Sequence, residues 1–125
     1  MAERVLITGI TGFVGSHLAD YVISLGDRYK VLGIKRWHLS RLDHVRHALG
    51  HITFYDCDLT DPISVRDMIA KAKPDRIFHC AAESFVSPSW LHPHRYMNVN
   101  YNATVNLLDA LRETGSKAHI LIPGS

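Results

Sequence analysis

Residues 8 to 15 spell "TGITGFVG", a stretch with three glycines in eight positions. It follows the apolar run "VLI" at 5–7 and precedes a segment with helical periodicity. Gly9, Gly12 and Gly15 therefore have the spacing G-x-x-G-x-x-G between a strand and a helix. A turn of that kind can present backbone N–H groups to a phosphate at the positive end of the helix. We predict a phosphate-binding turn here, with a glycine-rich turn that binds nothing as the alternative.

The rest of the chain continues this alternation of strands and helices. The predicted strands are residues 4–8, 30–34, 52–55, 75–82 and 118–125, and the predicted helices are 13–25, 41–49, 60–72 and 95–112. The strands are nearly continuous apolar runs, which is typical of a parallel sheet covered on both faces. Right-handed crossovers then predict a doubly wound α/β fold of the Rossmann type, with strand order 3-2-1-4-5 and a ligand between strands one and four. The sequence ends with the fifth strand, and residues 1–125 are expected to form one domain.

Two of the helices carry local signals. Asp61 is expected to cap the third helix, with Pro62 at its first position, where the missing N–H costs nothing. Helical spacing in the first helix predicts one buried apolar face. That face is expected to contain Val14, Leu18, Tyr21, Val22 and Leu25.

Each glycine of the turn has an expected role. Gly9 permits the tight turn, Gly12 removes a Cβ that would hold a pyrophosphate away, and Gly15 lets the helix approach the sheet. Because strand, helix and switch point agree, we favour a dinucleotide-binding loop over an empty turn. The cofactor-binding residues predicted from this loop are Gly9, Ile10, Thr11, Gly12, Phe13, Val14 and Gly15.

The end of the second predicted strand indicates which dinucleotide binds. An acidic residue there would bind the ribose 2′-hydroxyl of NAD, whereas arginine suits the 2′-phosphate of NADP. The sequence has "GIKRW" at 33–37, with Lys35 and Arg36 and no carboxylate. The arginine fork can bind a phosphate through two donors. We favour NADP with Arg36 as its ligand; a solvated Lys-Arg pair is the alternative.

Composition excludes several other classes. A net charge of +2, with 46% apolar and 21% charged residues, gives no reason to expect a nucleic-acid or membrane partner. The two cysteines, Cys57 and Cys80, are expected to be reduced and buried, as in a cytoplasmic protein. The nine histidines lack the converging Cys or carboxylate partners of a zinc site, so no metal is predicted.

Five segments together resemble a known family. They are "TGITGFVGSHLADYV" (8–22), "GIKRW" with the later "RLDH" (33–44), "DCDLTD" (56–61), "HCAAESFV" (79–86) and "NYNATVNLLDAL" (100–111). These segments resemble the extended short-chain dehydrogenase/reductases, and within them the GDP-mannose 4,6-dehydratase group. The resemblance covers the whole chain. Two positions depart from the pattern: Glu83 replaces a usual Gln near the cofactor, and Ala103 replaces a usual Gly in a helix.

The resemblance implies roles for further residues. Asp58 and Leu59 would contact the adenine, and Asn100 would lie near the active site. The residues implied beside the nicotinamide ribose are Cys80, Ala81, Ala82 and Ser84. Ser125 falls where the family has a Ser or Thr that orients the sugar hydroxyl. The implied protein is a cytoplasmic homo-oligomer that converts GDP-mannose to GDP-4-keto-6-deoxymannose with NADP.

One element of the family pattern is absent from the sequence. None of the five tyrosines is followed by a lysine four positions later, so no Tyr-x-x-x-Lys motif occurs. We therefore expect the 125 residues to be the N-terminal, NADP-binding part of a longer enzyme and to be inactive alone. Two alternatives stay open: a GDP-4-keto-6-deoxymannose reductase or nucleotide-sugar epimerase of the same family, and a non-catalytic NADP-binding module.

Overall fold

Five parallel strands form one sheet in the computed structural model, which describes residues 1–82 and 90–124. The strands are β1 (Glu3–Thr8), β2 (Tyr29–Lys35), β3 (Ile52–Asp56), β4 (Arg76–His79) and β5 (His119–Leu121). Their order is β3-β2-β1-β4-β5, and every neighbouring pair is parallel. The doubly wound Rossmann-type fold and its strand order are thereby confirmed.

Helical segments connect the strands. They are α1 (Phe13–Ser24), a 3₁₀ helix (Asp43–His51), α2 (Pro62–Ala72), α3 (Pro93–Tyr96), a π-helical segment (Met97–Asn102) and α4 (Ala103–Glu113). The single helix predicted at 95–112 is therefore interrupted by π geometry, which side-chain periodicity does not reveal. Of the helices in the described part of the chain, none combines the length and apolarity needed to cross a membrane.

Both faces of the sheet are covered, which explains the continuous apolar strands. Leu6, Leu32 and Ile77 point to one face and pack with α2 and α4. On the other face, Val5 and Ile7 pack with α1 and the 3₁₀ helix. Side chains alternate between the two faces of a strand, so a sheet buried on both sides needs apolar residues at successive positions.

The buried face of α1 differs from the predicted one. Val14, Tyr21 and Leu25 are exposed, so the predicted apolar face is wrong at these three positions. The residues buried instead are Gly15, Ser16, Ala19 and Val22. These residues are mostly small, and small side chains let a helix backbone pack close to its neighbours. Close packing therefore sets the orientation of α1 more strongly than the count of large apolar side chains.

The start of α2 follows its local signals. Asp61 Oδ1 accepts a hydrogen bond from the backbone N–H of Ile63 at 3.0 Å. Pro62 occupies the first turn, and the helix is followed by Lys73 in the left-handed region at φ +46°. The predicted cap is confirmed.

Candidate functional site

A cleft of about 710 Å³ opens at the carboxyl ends of the central strands. Four loops and the π-helical segment contribute to its walls. The lining residues include Gly9, Thr11 and Gly12 after β1, Arg36, Ser40 and Arg41 after β2, Cys57 to Thr60 after β3, Cys80 to Ala82 after β4, and Arg95, Val99 and Ala103. The cleft therefore lies at the switch point between β1 and β4, where doubly wound sheets bind their ligands.

Backbone contacts shape the glycine turn. Gly9 has φ +67°, and a Cβ there would lie 2.8 Å from the backbone nitrogen of Ala81. Glycine is thus required both by the conformation and by the close approach of the loop after β4. At Gly15, a Cβ would lie 2.2 Å from the carbonyl oxygen of Gly9. The close approach expected of Gly15 is therefore to the backbone of the turn at Gly9 and Ile10, rather than to the sheet.

In residues 1–82 and 90–124, no side chain caps the amide groups in the first turn of α1. Gly12 occupies the N-cap in extended backbone, so it provides no capping side chain, and no acidic residue lies in the first turn. Phe13 and Val14 are 70% and 64% exposed. A Cβ at Gly12 would meet only the Gly9 carbonyl, at 3.3 Å, so packing alone does not demand glycine there. The free N–H groups of a helix start attract an anion.

Within the same turn, Ile10 and Thr11 have different environments. The Ile10 side chain is fully buried in the core, and a Cβ at Gly33 would lie 2.8 Å from it. Only the backbone of Ile10 can therefore meet a ligand. Thr11 lines the cleft directly.

The two cations at the end of β2 have different partners. Lys35 Nζ forms an ion pair with Asp56 Oδ1 at 2.7 Å, and the same oxygen accepts from the Trp37 backbone N–H. The Arg36 backbone N–H donates to Ser40 Oγ at 2.8 Å, which holds the loop. In the described ranges no carboxylate pairs with the Arg36 guanidinium, which is exposed at the cleft. Arg36 and Lys35 are thus not an equivalent solvated pair.

The loop after β3 is held by its own side chains. Asp58 Oδ1 accepts from the backbone N–H of Thr60 at 3.0 Å and from its hydroxyl at 2.7 Å. The Asp58 N–H donates to Ser64 Oγ. The Leu59 carbonyl accepts from Asn106 Nδ2 at 2.9 Å, which joins this loop to α4. Asp58 and Leu59 both line the cleft.

The loop after β4 forms another wall of the cleft. The Cys80 N–H donates to the Thr8 carbonyl at 3.2 Å, and the Ala81 N–H donates to Thr8 Oγ1 at 3.1 Å. Asn100 lies in the π-helical segment, between cleft-lining residues Val99 and Ala103. Two predicted site residues, Ser84 and Ser125, lie outside the described residues.

The cysteines of the cleft are neutral thiols. Burial raises the pKa of Cys57 to about 11 and also raises the pKa of Cys80. Both are free, so no disulfide joins them. Because the thiolate is the reactive form, neither cysteine is an activated nucleophile near neutral pH.

Sequence reasoning missed a buried histidine at the end of β4. His79 is 5% exposed and lies between two hydroxyl groups, with Thr8 Oγ1 at 2.7 Å and Thr104 Oγ1 at 2.9 Å. Burial lowers its pKa. The available signal was a polar residue inside the apolar run "RIFHC".

The histidines show no metal-binding arrangement in residues 1–82 and 90–124, where no three potential His, Cys, Asp or Glu ligands converge. His47 instead contacts Asp20, with 2.7 Å between Nε2 and Oδ1. This contact joins the 3₁₀ helix to α1.

Comparison with known proteins gives consistent matches along the chain. Residues 6–124 match the protein family described as GDP-mannose 4,6 dehydratase. The chain is 36% identical to the GDP-mannose 4,6-dehydratase of Yersinia enterocolitica, over 90% of this chain and 32% of that protein. It is 32% identical to the CDP-paratose 2-epimerase of Salmonella typhi, over 94% of this chain and 35% of that protein.

Solved structures also match most of this chain. UDP-glucose 4-epimerase from Thermus thermophilus, in complex with NAD, superposes with a TM-score of 0.78 at 30% identity, over 90% of this chain and 35% of that one. The corresponding enzyme from Brucella ovis, also with NAD, has a TM-score of 0.81 at 28% identity, over 97% and 35%. The chain thus spans about a third of the length of the proteins it matches.

Proposed function

The chain belongs to the GDP-mannose 4,6-dehydratase family, and we propose that it is the cofactor-binding part of an NADP-dependent dehydratase that converts GDP-mannose to GDP-4-keto-6-deoxymannose. One observation carries the cofactor assignment. The uncapped start of α1 and the guanidinium of Arg36 border the same cleft at the switch point of the sheet. A dinucleotide with a diphosphate in its centre and a phosphate on one ribose has two anionic groups to match them.

The diphosphate is assigned to the start of α1. Backbone N–H groups there have no capping side chain, and the Cα of Gly12 leaves room for an oxygen to approach. Such contacts combine hydrogen bonding with the favourable end of the helix dipole. The residues are those of the predicted loop, with Ile10 acting through its backbone.

The 2′-phosphate is assigned to the loop after β2. Arg36 supplies a guanidinium without an internal ion pair among the described residues, and the Ser40 hydroxyl lines the cleft beside it. Arg41 lines the same wall, but it is paired with Asp43, which also lines the cleft, at 3.0 Å. A ribose with a free 2′-hydroxyl would leave the Arg36 guanidinium without an anion. The arrangement therefore supports NADP over NAD.

The remaining walls of the cleft are proposed to contact the two ends of the dinucleotide. Asp58 and Leu59, on the β3 side, are proposed to contact the adenine. Cys80, Ala81 and Ala82, on the β4 side, are proposed to lie beside the nicotinamide ribose, with Ser84 following them and Asn100 near the reacting groups. When bound, NADP would accept a hydride from the sugar and return it.

The acid–base step needs a group that the described residues on the β4 side of the cleft do not provide. A general acid or base must lie within hydrogen-bond reach of the sugar with a pKa near the working pH. The thiols of the cleft have raised pKa values, and His79 is buried between two threonines. Ser125 remains the proposed contact to the sugar hydroxyl and would be a poor base alone. We therefore propose that these residues bind and orient the cofactor, and that the 125-residue chain does not turn over substrate alone.

Two alternatives follow from particular observations. The epimerases among the relatives support a nucleotide-sugar epimerase, and the same fold could serve a reductase. A non-catalytic NADP-binding module is the second alternative, and it would use the same cleft. A homo-oligomer also remains a proposal, supported by exposed apolar side chains at the end of β5, Leu121 and Ile122, and on α4, Leu108. Light scattering of the chain would show a single monomeric species if this proposal is wrong.

Replacement of Arg36 tests the choice of cofactor. We expect Arg36→Ala to weaken NADP binding by about tenfold to a hundredfold, since a charge-assisted hydrogen bond contributes roughly 1.5–3 kcal/mol. NAD affinity should change little. Isothermal titration with both dinucleotides measures the two effects.

Arg66→Ala is the matched control, because Arg66 pairs with Glu113 at 3.6 Å and does not line the cleft. It should leave both affinities unchanged. Equal losses for NADP and NAD in Arg36→Ala would refute the assignment of the 2′-phosphate. Absence of dinucleotide binding by the unmodified chain would refute the cofactor-binding proposal itself.

A further inference from the structure

A line of hydrogen bonds joins the two walls of the cleft through the buried ring of His79. At one end, the Ala81 N–H donates to Thr8 Oγ1 at 3.1 Å, and Thr8 Oγ1 lies 2.7 Å from His79 Nδ1. At the other end, His79 Nε2 lies 2.9 Å from Thr104 Oγ1, and that hydroxyl donates to the Asn100 carbonyl at 3.2 Å. The line thus connects the loop after β4 with the π-helical segment.

The partners determine where the protons lie. The Asn100 carbonyl can only accept, so the Thr104 hydroxyl uses its single hydrogen there and must accept from His79. Nε2 therefore carries a hydrogen. In a neutral ring Nδ1 is then an acceptor, and the Thr8 hydroxyl donates to it while accepting from Ala81. Every donor in the line finds one acceptor, with all bonds in one direction.

A protonated ring would not fit this arrangement. If Nδ1 also carried a hydrogen, Thr8 Oγ1 would have to accept from both His79 and Ala81. The Thr8 hydroxyl hydrogen would then have lost its acceptor, in a side chain that is fully buried. An unsatisfied buried donor is costly, so the surroundings select the neutral ring with hydrogen on Nε2.

Both ends of the line belong to the cleft. Ala81 lines one wall, and Val99 and Ala103, which flank Asn100 and Thr104 in sequence, line another. The π geometry at Met97–Asn102 places an irregular turn where the line ends. Turns of this kind often occur at functional sites, and a fixed hydrogen-bond partner would hold this one in register.

We propose that His79 is a positioning residue, which as the neutral Nε2–H tautomer fixes the Ala81 backbone relative to the π-helical segment across the cofactor cleft. This inference rests on the proposed function, because the cleft it holds is the one assigned to NADP. Thr8 and Thr104 act through His79, and none of the three needs to touch the cofactor. The hydroxyl groups of the two threonines, rather than their methyl groups, are the parts that matter.

The test compares Thr104→Val with Thr104→Ser. Valine keeps the shape and removes the hydroxyl, whereas serine keeps the hydroxyl, so serine should preserve the line. In Thr104→Val we expect faster hydrogen exchange at the Ala81 amide, at the far end of the line, and a changed His79 imidazole nitrogen signal in a ¹H–¹⁵N spectrum. We also expect NADP affinity to fall about fivefold or more, as for the loss of one hydrogen bond, and serine to restore all three readouts.

Unchanged exchange at Ala81 in Thr104→Val, or a wild-type His79 spectrum showing hydrogen on Nδ1, would overturn the inference. So would unchanged NADP affinity in a variant whose exchange had changed. A merely structural threonine would lower stability without moving the Ala81 amide or the ring nitrogen signals selectively. The exchange and nitrogen measurements need no ligand, so they decide the hydrogen-bond line even where NADP fails to bind and the proposed function is refuted.

Discussion

The helices α1 and α2 each follow a parallel strand, β1 and β3 respectively, yet their N-termini are built in opposite ways. In α2, Asp61 accepts from the Ile63 N–H at 3.0 Å, and Pro62 removes a further donor from the first turn. In α1, the N-cap is Gly12, which has no side chain, and the first turn contains no acidic residue. The first helix therefore leaves donors for an anion that the described residues do not supply, while the second satisfies the Ile63 N–H with Asp61.

The loops leading into these helices differ in the same sense. Side chains hold the loop before α2, where the Asp58 carboxylate accepts twice from Thr60. The turn before α1 is shaped by backbone contacts, with Gly9 against Ala81 and Gly15 against Gly9. A turn built from bare backbone leaves the space beside it open for a ligand, whereas side-chain caps would fill it.

The largest effect is expected from a side chain at Gly15. A Cβ there would lie 2.2 Å from the Gly9 carbonyl oxygen, so backbone would have to move. We expect Gly15→Ala to lower the free energy of unfolding by about 3 kcal/mol, the upper end of the usual cost of overpacking, because the contact is with backbone. Urea denaturation measures it.

Gly50→Ala provides the control, because a Cβ at Gly50 would meet no atom within 4 Å. Its free energy of unfolding should stay within about 0.5 kcal/mol of wild type. Equal stability of the Gly15 and Gly50 variants would show that the contact between the turn and α1 is not needed.

The next effect comes from giving α1 the cap that α2 has. Gly12 has φ −88° and ψ −177°, which an aspartate can adopt, so Gly12→Asp should place a carboxylate on the free amides. We expect dinucleotide binding to be lost, because the new carboxylate would occupy the site proposed for the diphosphate and repel that anion. Stability should change by less than about 1 kcal/mol. Calorimetric titration and urea denaturation measure the two quantities.

Gly12→Ala separates charge from bulk in this experiment. It adds only a Cβ, which would lie 3.3 Å from the Gly9 carbonyl and therefore requires a small adjustment. We expect it to retain more dinucleotide affinity than Gly12→Asp. Undiminished binding by Gly12→Asp would place the diphosphate somewhere other than the start of α1.

The smallest effect is expected at α2. Asp61→Ala removes a cap that is satisfied within the chain, so it should lower the free energy of unfolding by about 1 kcal/mol. Dinucleotide affinity should not change, because Asp61 does not line the cleft. Denaturation and titration of the same preparation would reveal any loss of affinity, which would contradict the distinction between the two helix starts.

How far the sequence predicts this molecule depends on the range of the interactions. The cap at Asp61 involves residues two positions apart, and sequence reasoning found it. The buried face of α1 depends on how closely Gly15 approaches the turn, and counting apolar residues placed Tyr21 on the wrong side. The π-helical segment changes no residue pattern, so the predicted helix at 95–112 was drawn without interruption.

The candidate site shows the same division. Its glycine turn and Arg36 could be proposed from their places after two strands, since parallel strands end at one edge of the sheet. That Lys35 is paired with Asp56, while Arg36 borders the cleft, depends on β3 lying next to β2. His79 could not be assigned a partner from sequence, because Thr8 and Thr104 are 71 and 25 residues away.

The order of apolar and glycine residues was thus sufficient for the parallel sheet, its strand order and the location of the glycine turn, because these follow from periodicities and rules that act over one strand–helix unit. The orientation of α1, the separate environments of Lys35 and Arg36, and the hydrogen bonds of His79 depended on contacts between segments distant in the chain. Such contacts form only once the elements pack, and their hydrogen-bonding partners are then set by geometry rather than by neighbouring residues.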